Sequence, residues 1–434
     1  MMRNGIAIGL LGVGTIGSSV LRTIVEHKSS FIADKIGCPV HIKRVLVRDL
    51  QKERRVELPP GLATTDAREI LDDPEIDIVV ELMGGETPAH EYIRAAVLNR
   101  KHVVTANKEV MSKHGTELLE LAWQQDVDIY FEASVGGGIP LIGPLKQDLA
   151  ANQILSIKAI INGTTNYILT RMAEENADFA SALRQAQALG YAEPDPTNDV
   201  EGIDATYKLA ILATLAFRIR VRPGDIFRAG ITALHPRDFQ FARELGYAIK
   251  LLAIAKRTDN QVEARVHPTL VPNRFLLAQV NDVYNAVHVE GDLVGKVLFY
   301  GQGAGPAPTS SAIVGDIIDL AHNIIAGVST RIRFKPDITL SLKPMDGVLT
   351  RYYLRMQVAD RPGVLAQIAR VLGDNDISIA SVIQKEVDEI APYAEIIIMT
   401  HAALEKHVQQ ARAELIVLPV VKEIANFIRV EDHD

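Results

Sequence analysis

Apolar and polar positions along the first third of the chain predict strands followed by helices. Residues 6–11 form an uninterrupted apolar run, and apolar residues recur at helical spacing after residue 17. The same succession then continues, with strands predicted at 41–48, 76–83, 102–106 and 127–133 and helices at 90–99 and 109–124. Alternating strands and helices are typical of a parallel, doubly wound α/β sheet of the Rossmann type.

The pattern changes after Pro144, where strands and helices no longer alternate regularly. The elements predicted there are strands at 154–161, 262–270, 283–289 and 297–300 and helices after 162, at 179–189 and around 208, which together indicate a small α+β domain. A joint rich in proline and charge follows at 335–347. Beyond it, the order strand, helix, strand, strand, helix, with room for a final strand, predicts a ferredoxin-like domain.

Composition narrows the class of protein and leaves the predicted fold unchanged. A hydrophobic content of 47% with 23% charged residues is typical of globular proteins, and the apolar runs fall short of the roughly 20 residues that cross a bilayer. A net charge of −8 without a basic cluster argues against a nucleic-acid partner. The single cysteine, Cys38, fits a reducing cytoplasm, and the first apolar run leads into glycines rather than a signal-peptide cleavage site.

A glycine pattern follows the first predicted strand. Gly12, Gly14 and Gly17 complete G-x-G-x-x-G between a strand and a helix, where the backbone can approach a dinucleotide pyrophosphate at a helix N-terminus. At the end of the second predicted strand, Arg48 favours the 2′-phosphate of NADP, whereas Asp49 beside it leaves NAD open. A solvated basic loop would explain the same residues. We expect a dinucleotide cofactor, with a modest preference for NADP.

Two further stretches follow the carboxyl ends of predicted strands, where open α/β sheets bind their ligands. Lys108 opens a helix and so opposes the helix dipole, which favours a functional role over a structural one. Glu132 precedes glycines at 136–138, and this carboxylate with nearby carbonyl oxygens suits a hard cation, although a flexible hinge explains the glycines equally well. The glycine-rich stretch 301–306 has two similar explanations, approach to a ligand or an interdomain hinge.

An acidic stretch at 190–208 ends in a lysine. Five carboxylates precede Lys208, which lies on a helix that is apolar on nearly every side, so its ammonium needs compensation. Asp204 lies four residues earlier on the same helical face, and Asp199 is a candidate cap for this helix. The stretch alone is equally consistent with a structural salt bridge and with a functional site.

Several chemistries are excluded by the sequence. It contains no H-E-x-x-H motif and no cysteine pair, and the stretch 291–296 lacks the spacing of a P-loop. The twelve histidines are scattered, so we expect most of them to be surface or core residues rather than metal ligands. In the C-terminal part, the residues 360–363 predict a turn before a helix, where backbone N–H groups can bind a small carboxylate. That part contains no catalytic constellation and is predicted to be regulatory.

These motifs together resemble the homoserine dehydrogenases, in their long bacterial form with a C-terminal ACT domain. The resemblance spans nearly the whole chain and rests on GLLGVGTIG, TANKE, EASVGGGIP, NGTTNYIL, GYAEPDPTNDVEGIDATYKLAIL, NAVHVEGDLVG, FYGQGAGPAPTSSA, DRPGVL and ISIASVIQ. Its most specific part is NGTTNYIL followed by the acidic stretch. Relatives often have a further glycine where this chain has Ser18 and Ser19, a departure that concerns helix packing more than chemistry.

The resemblance implies a domain layout and a reaction. The layout is an NAD(P)-binding Rossmann domain at 1–145, a catalytic and dimerisation domain at 146–305, a return segment at 306–335 packing on the Rossmann domain, and an ACT regulatory domain at 350–430. The reaction is the reversible NAD(P)H-dependent reduction of L-aspartate 4-semialdehyde to L-homoserine, on the route to threonine, methionine and isoleucine. A cytoplasmic homo-oligomer, dimer or tetramer, with threonine as feedback effector and no nucleic-acid or membrane partner, is also implied.

The resemblance also assigns roles to residues. The acid–base lysine falls on Lys208 and a second active-site lysine on Lys108, while substrate contacts fall on Lys108, Glu193 and Asp204, with Asp199 in support. Cofactor contacts are a larger group, the residues Gly12, Val13, Gly14, Thr15, Ile16, Gly17, Arg48, Lys108 and Gly305. The ligands of a monovalent cation, sodium or potassium, are a second group, formed by Glu132, Val135, Gly137 and Ile139.

The assigned residues suit the implied chemistry better than that of the alternatives. Hydride arriving at an aldehyde carbon builds negative charge on oxygen, which a lysine ammonium can stabilise and protonate. A semialdehyde dehydrogenase would need a nucleophilic cysteine at the ligand end of the sheet, and Cys38 precedes a strand instead. A catalytically inactive, nucleotide-binding amino-acid sensor is the second hypothesis. The presence of Lys108, Lys208 and the acidic anchors argues against it.

Overall fold

The structure is a computed structural model and describes residues 5–328, 334–385 and 393–432. Residues 329–333 of the expected return segment and 386–392 of the expected ACT domain lie outside the described residues, as do both chain ends. In chain order, the elements of the first third are β1 (Ile6–Leu11), α1 (Thr15–Arg22), a π-helical turn (Thr23–His27), α2 (Ser29–Ile36), β2 (Val40–Leu46), β3 (Ala63–Thr64), α3 (Arg68–Leu71), β4 (Ile78–Glu81), α4 (Ala89–Leu98), β5 (His102–Thr105), α5 (Lys108–Gln125), β6 (Ile129–Tyr130) and α6 (Ile142–Lys146).

The remaining elements follow in two groups. Those before residue 330 are β7 (Ile154–Ile160), α7 (Gly163–Glu175), α8 (Phe179–Ala188), α9 (Thr197–Val200), α10 (Ile203–Phe217), β8 (Phe227–Arg228), α11 (Pro236–Glu244), β9 (Tyr247–Thr258), β10 (Gln261–Pro272), β11 (Tyr284–Gly291), β12 (Gly295–Gln302) and α12 (Pro306–Ala326). Those after it are β13 (Ser341–Leu342), β14 (Leu349–Ala359), α13 (Val364–Asp374), β15 (Ile379–Lys385), β16 (Tyr393–Thr400), β17 (Ala403–Leu404), α14 (Glu405–Ile416) and β18 (Val421–Val430).

The first sheet confirms the predicted doubly wound fold. Its six strands are parallel and follow the order β3-β2-β1-β4-β5-β6. The order reverses between β1 and β4, the point at whose carboxyl ends such sheets bind dinucleotides. Strand β1 is fully buried, and α12 returns late in the chain to pack against α1, with Ile313 and Ile317 in the same core as Val20 and Leu21.

The described residues divide into two compact units. The first comprises Met1–Leu155, Tyr207–Gly224 and Val289–Thr339, and the second comprises Ser156–Thr206, Asp225–His288 and Leu340–Asp434. Within the described residues, no helix combines the length and apolarity needed to cross a membrane.

The second unit contains a mixed sheet in which the ferredoxin-like part is continuous with the strands before it. The order is β11-β7-β9-β10-β18-β14-β16-β15. The last four strands, with α13 and α14 packed on them, form the predicted ferredoxin-like domain with its own apolar core. Strand β18 pairs in parallel with β10, at Thr269 with Arg429 and at Leu270 with Val430.

Two parts of the fold differ from the sequence-based expectation. The strand predicted at 127–133 is limited to Ile129–Tyr130 and gives way to a 3₁₀ turn at Glu132–Ser134. The Glu132 carboxylate bonds to backbone N–H groups at the start of α6, and these bonds stabilise the turn. Strand β9 and helix α11 were not predicted. The centre of β9 is an apolar run buried on both faces, which has no period that distinguishes a strand from a helix.

Buried ion pairs lie where the ferredoxin-like strands meet the rest of the second unit. Asp238 of α11 is fully buried and accepts hydrogen bonds from Arg355 Nε at 2.6 Å, from Asn426 at 2.6 Å and from Tyr353 at 3.3 Å. Each of these donors belongs to β14 or β18. Because a buried carboxylate without such partners is strongly destabilising, these bonds tie α11 to that sheet.

Glu431 forms a second charged contact, one residue after β18. Its carboxylate bonds to Lys256 of β9, lies 3.4 Å from Lys158 of β7 and accepts from Arg265 of β10 at 3.2 Å. Burial alone would raise the pKa of Glu431, but these three cations lower it to about 2. Burial lowers the pKa of Lys256, which shares the Glu431 carboxylate with two other cations. Glu431, by contrast, interacts with all three cations and is therefore ionised at neutral pH.

Replacing Glu431 by glutamine should destabilise the second unit in a pH-dependent way. Removing the carboxylate takes away an anion shared by three cations, although Arg265 keeps its bond to Glu263, and costs about 3–5 kcal/mol of unfolding free energy at pH 7. Because the folded-state pKa lies below the ordinary value of 4.5, the contribution is complete above pH 4.5 and is lost as the pH falls towards about 2. Urea unfolding of wild type and Glu431→Gln between pH 3 and 7 measures this difference.

The matched control is Glu423→Gln, which changes an exposed glutamate of the same strand. It should leave the free energy of unfolding within about 0.5 kcal/mol of wild type. Equal effects of the two substitutions, or a loss that does not depend on pH, would contradict the structural role given to Glu431.

Candidate functional site

The glycine turn between β1 and α1 borders a cavity of about 510 Å³. Gly12 has φ of +97°, and a Cβ on Gly17 would lie 2.1 Å from the carbonyl oxygen of Gly12, so both positions require glycine. Among the described residues, no atom lies within 4 Å of where a Cβ on Gly14 would be, and Gly14 lines the cavity. The turn therefore offers an open backbone face at a helix N-terminus, which fits a dinucleotide pyrophosphate.

Basic side chains line the same cavity after the end of β2. They are Arg48, Lys52, Arg54 and Arg55. The carboxylate of Asp49 accepts a hydrogen bond from the backbone N–H of Gln51 at 2.8 Å, so it stabilises the loop as well as facing the cavity. This part of the cavity is consequently rich in positive charge and suited to a phosphate group.

Lys108 is the first residue of α5, at the carboxyl end of β5. The helix is capped by Asn107, whose side-chain oxygen accepts from the Val110 N–H at 3.1 Å. The amide nitrogen of Asn107 also donates to the carbonyl of Gly85 at 2.8 Å, in the loop after β4. Both bonds fix the backbone from which the half-buried Lys108 projects.

A buried carboxylate stabilises this loop through hydrogen bonds. Glu81, the last residue of β4, accepts from the Thr105 hydroxyl at 2.6 Å and from the Met83 N–H at 2.8 Å. Burial raises the pKa of Glu81 above its ordinary value, and these hydrogen bonds oppose the rise. Thr105 in turn accepts from the Asn107 N–H at 3.0 Å, so the ends of β4 and β5 are linked around the residue before Lys108.

The two glycine-rich stretches pack against each other within the first unit. A Cβ on Gly137 would lie 2.5 Å from the carbonyl oxygen of Gly303, and one on Gly138 would lie 2.7 Å from Cβ of Pro308. Gly305 has φ of +124° and immediately precedes α12. Close contact between the two loops is therefore a further reason for their glycines, beside the ligand approach and the hinge considered from sequence.

Glu132 precedes the glycines of the first of these stretches. Its carboxylate accepts from the backbone N–H groups of Leu141, Ile142 and Gly143, at 2.5, 2.8 and 2.7 Å. Its own N–H donates to Asp316 of α12 at 2.9 Å. Burial holds the pKa of Asp316 well above its usual range, and the adjacent Glu132 charge adds to that effect although the bond from the Glu132 N–H opposes it.

The other residues assigned to a cation follow Glu132 in one short turn. Val135, Gly137 and Ile139 are all buried, and the turn is closed by a 2.9 Å hydrogen bond from the Ile139 N–H to the Gly136 carbonyl. These buried backbone carbonyl groups follow the carboxylate of Glu132 closely in the chain, so the turn is rich in oxygen atoms. Such an environment fits a hard monovalent or divalent cation.

In the second unit, one amide connects two of the assigned carboxylates. The side-chain nitrogen of Asn162 donates to Asp199 Oδ1 at 2.7 Å and to Asp204 Oδ2 at 2.9 Å. Its oxygen accepts from the Thr165 N–H at 2.8 Å, which caps α7. Asn162 and Asp204 are both buried, so the two acidic side chains have a fixed position relative to α7.

Helix α10 contains Asp204 in its first turn and Lys208 one turn later. Their exposed fractions are only 4% and 9%, although the helix is otherwise almost entirely apolar. Ionisable groups at such positions are rare outside functional sites and buried ion pairs. The structure thus confirms the unusual setting that the sequence indicated for Lys208.

The other carboxylates of the acidic stretch have different surroundings. Asp199 was expected to cap the helix with Lys208, but it lies within α9 and bonds to Asn162 instead. Asp195 accepts from the N–H and hydroxyl of Thr197 at 3.1 and 2.6 Å, and these bonds lower its pKa and stabilise the chain just before α9. Glu193, assigned to the substrate, is exposed.

Helices α5 and α10, which contain the two assigned lysines, are neighbours in the first unit. Lys113 Nζ of α5 lies 5.7 Å from the ring centroid of Tyr207, the residue before Lys208. Lys108, Lys208, the glycine turn and the oxygen-rich turn thus all belong to the first unit, whereas Glu193, Asp199 and Asp204 belong to the second.

From the sequence, Asn162 and Thr164 are candidate caps of the helix predicted after residue 162, and no other role was assigned to Asn162. Its bonds to Asp199 and Asp204 connect residues far apart along the chain, and no local pattern reports them. The signal that pointed to it was the motif NGTTNYIL, which begins at Asn162. Glu81 was likewise missed, because it reads as part of an apolar strand.

Comparison with protein families identifies the chain along most of its length. Residues 12–132 match the family described as "Homoserine dehydrogenase, NAD binding domain", and residues 140–318 match "Homoserine dehydrogenase". Residues 352–420 match "ACT domain". The matches follow the order of the Rossmann sheet, the mixed sheet and the ferredoxin-like strands described above.

Relatives of known sequence and structure agree with these matches. The homoserine dehydrogenase of Bacillus subtilis is 40% identical over 98% of both chains, and that of Synechocystis is 44% identical over 98% of this chain and 99% of its own. The crystal structure of a homoserine dehydrogenase from Thiobacillus denitrificans superimposes with a TM-score of 0.92 at 46% identity, covering 99% of this chain and 98% of that one.

A more distant structure covers about three quarters of this chain. It is a hyperthermophilic archaeal homoserine dehydrogenase in complex with NADPH, with a TM-score of 0.62 and 26% identity over 73% of this chain and 97% of its own. Similarity of this extent along nearly the full length shows the family. The chain belongs to the homoserine dehydrogenases, a family of NAD(P)-dependent oxidoreductases, and has a C-terminal ACT domain.

Proposed function

We propose that this chain catalyses the reversible reduction of L-aspartate 4-semialdehyde to L-homoserine, on the route to threonine, methionine and isoleucine, with Lys208 as proton donor. The observation that supports it most is the buried pair on α10, Asp204 and Lys208, with Asn162 fixing Asp204. An acidic anchor and an ammonium one helical turn apart match a substrate that has a positive amino group near a reducible aldehyde.

The proton donor acts on the aldehyde oxygen. A reduced nicotinamide, when bound, supplies the hydride to the aldehyde carbon. The oxygen then gains negative charge, which the Lys208 ammonium stabilises before giving it a proton, so that one hydride and one proton together convert the aldehyde to an alcohol. Lys108 is proposed as the second positive group of the site, at the carboxyl end of β5 where such sheets bind ligands.

The carboxylates position the substrate. Asp204 and Glu193 are proposed to bind its α-amino group, and Asp199 supports them through the amide of Asn162 that it shares with Asp204. Two carboxylates bonded to one amide keep a fixed separation, so an amino group bound at Asp204 is held in a defined position. Asp195 bonds to the hydroxyl of Thr197 and has no part in this proposal.

NADP is the proposed cofactor, with NAD as the alternative. Gly12, Val13, Gly14, Thr15, Ile16 and Gly17 would lie along the pyrophosphate, with Lys108 and Gly305 as further contacts. Arg48 lies beside three other basic residues of the same cavity, which suits the 2′-phosphate that distinguishes NADP from NAD. The archaeal relative that was solved with NADPH supports the same choice.

A monovalent cation, sodium or potassium, is proposed for the turn at 132–139. Its ligands would be oxygen atoms of Glu132, Val135, Gly137 and Ile139. The Glu132 carboxylate already accepts hydrogen bonds from three backbone N–H groups. An ion would therefore bind to the remaining carboxylate lone pairs and to the backbone carbonyl oxygen of Glu132. Bound there, the ion would stabilise the ionised forms of Glu132 and Asp316, whose proximity is otherwise unfavourable.

The ACT domain is proposed to bind threonine and to inhibit the reaction. The support is the turn at 360–363, where Gly363 with φ of +87° precedes α13 without a side-chain cap, so backbone N–H groups are available to a carboxylate. We also propose a homo-oligomer, dimer or tetramer, and a cytoplasmic location. The domain boundaries at 145, 305 and 335 and the range 350–430 likewise stay predictions.

Lys208→Ala should lower kcat for aspartate 4-semialdehyde by about 100-fold or more, the scale of a lost general acid. NADPH binding, followed by nicotinamide fluorescence, should persist because the glycine turn is unchanged. The matched control is Lys296→Ala, which changes an exposed lysine of β12 and should leave kcat near wild type. Near-normal turnover of Lys208→Ala would rule out the proposed role.

Arg48→Ala should lower kcat/KM for NADPH by roughly 10-fold or more, because a charge-assisted contact to the 2′-phosphate contributes about 1.5–3 kcal/mol. The value for NADH, which has no such phosphate, should change little. Arg68→Ala is the control, since Arg68 is exposed, pairs with Asp66 and does not line the cavity. Equal losses with both cofactors would refute a specific contact.

Threonine at millimolar concentration should reduce the initial rate of homoserine formation or change the molecular mass measured by light scattering. Serine, which lacks the γ-methyl group of threonine, is the control ligand. The test therefore uses the full-length chain. An unchanged rate and mass across the whole concentration range would exclude threonine as the effector.

A further inference from the structure

Two histidines and a glutamate lie together between helices α4 and α5, apart from every residue assigned to substrate, cofactor or cation. His90 belongs to α4, while His114 and Glu117 lie three residues apart, and thus on one face, of α5. One nitrogen from each imidazole and one carboxylate oxygen all lie within 4.8 Å of one another. Two imidazoles and a carboxylate are the donors that zinc and similar divalent ions prefer.

His90 has the properties of an available ligand. Within the described part of the chain, its buried Nε2 has no hydrogen-bond partner. Its ring stacks on that of His114, with ring centroids 4.0 Å apart and planes 18° from parallel. Burial lowers the pKa of His90, and the neighbouring His114 lowers it further, so the ring is neutral and keeps a lone pair at neutral pH.

His114 is oriented by a carboxylate behind it. Its Nε2 lies 2.7 Å from Glu86 Oε1, and Lys113 donates to the other oxygen of Glu86, also at 2.7 Å. These bonds lower the pKa of Glu86 to about 2, so it is ionised and accepts the proton of His114 Nε2. A carboxylate bonded to one nitrogen of a histidine leaves the other nitrogen as a metal ligand, the arrangement common behind protein zinc sites.

The charges of the cluster also favour a cation. Two carboxylates lie at the cluster, Glu117 as a ligand and Glu86 behind His114, while the ammonium of Lys113 is shared between Glu86 and Glu109. Glu117 is exposed, so an ion reaches the cluster from solvent without opening the core. A divalent ion would replace the unfavourable burial of an unpaired His90 nitrogen with a coordinate bond.

We infer that His90, His114 and Glu117 bind one divalent transition-metal ion of the zinc class, with Glu86 as the group that orients His114. Metal–nitrogen bonds lie in the imidazole plane, so the stacked rings must tilt apart and the three ligand atoms must approach one another for coordination. Water completes the coordination shell. This site is separate from the proposed sodium or potassium site, whose ligands are all oxygen atoms.

Zinc binding to the metal-free full-length chain tests this inference, with competition against a chromophoric chelator as the measurement. Wild type should bind one equivalent at this site. His90→Ala and His114→Ala should weaken that equivalent by at least about 10-fold, and Glu86→Gln by roughly 10- to 100-fold, the usual effect of removing an orienting carboxylate. His322→Ala, which changes an exposed histidine of α12, is the matched control and should bind as wild type does.

Two further measurements keep the result independent of folding and of activity. Glu117→Gln changes an exposed side chain and should fold normally yet bind zinc more weakly. Cobalt added to wild type should give visible absorption bands of a site with nitrogen ligands, and His90→Ala should abolish them. The inference fails if wild type binds no zinc, or if the His90, His114 and Glu117 variants bind it as tightly as wild type and His322→Ala do.

Discussion

The hydrogen bonds from Asn162 to Asp199 and Asp204 are the interaction on which the account of the site depends most. Two carboxylates near each other repel, and one of them is buried, so their position would not be defined without a shared donor. Asn162 is in turn fixed because its oxygen caps α7. The helix cap formed by Asn162 therefore fixes the position of the Asp204 carboxylate, which lies one turn before Lys208 on α10.

In the first unit, hydrogen bonds likewise fix the backbone from which Lys108 projects. Asn107 caps α5 and reaches the loop after β4, while Glu81 joins the ends of β4 and β5 through Thr105. Lys108 consequently starts from a rigid backbone at the carboxyl edge of the sheet. The two glycine-rich loops then pack so closely that side chains are excluded at Gly137 and Gly138. In both units, the residues assigned to the site are positioned by hydrogen bonds and helix caps rather than by long surface ion pairs.

The sequence predicted the fold well where the hydrophobic period was clear. The alternating strands of the first sheet, the glycine turn and the C-terminal ferredoxin-like order were all confirmed. The strand β9 was missed because a segment buried on both faces has no alternation. The pairing of β10 with β18 was not predictable either, since it joins residues about 160 positions apart and depends on buried charges such as Glu431.

The site was predictable mainly through the resemblance of its motifs. Periodicity and spacing indicated an unusual lysine at 208 and a ligand position at 108, but they did not separate a salt bridge from a catalytic pair. They assigned Asp199 to the wrong contact and gave Asn162 only half of its role, because side-chain bonds between distant segments leave no local trace. The same limit applies to His90 and His114, which lie on different helices and looked unrelated in the sequence.

The claim at the centre of this account is that Asp204 binds the amino group of the substrate. The most direct measurement compares kcat/KM for aspartate 4-semialdehyde with that for succinic semialdehyde, which has the same aldehyde but no amino group. Wild type should prefer the first substrate by about 100-fold or more, and Asp204→Asn should lose most of that preference, because a site built to bind a polar group discriminates strongly against its absence. Equal losses for both substrates, with the preference intact, would show that Asp204 supports the fold and does not bind the substrate.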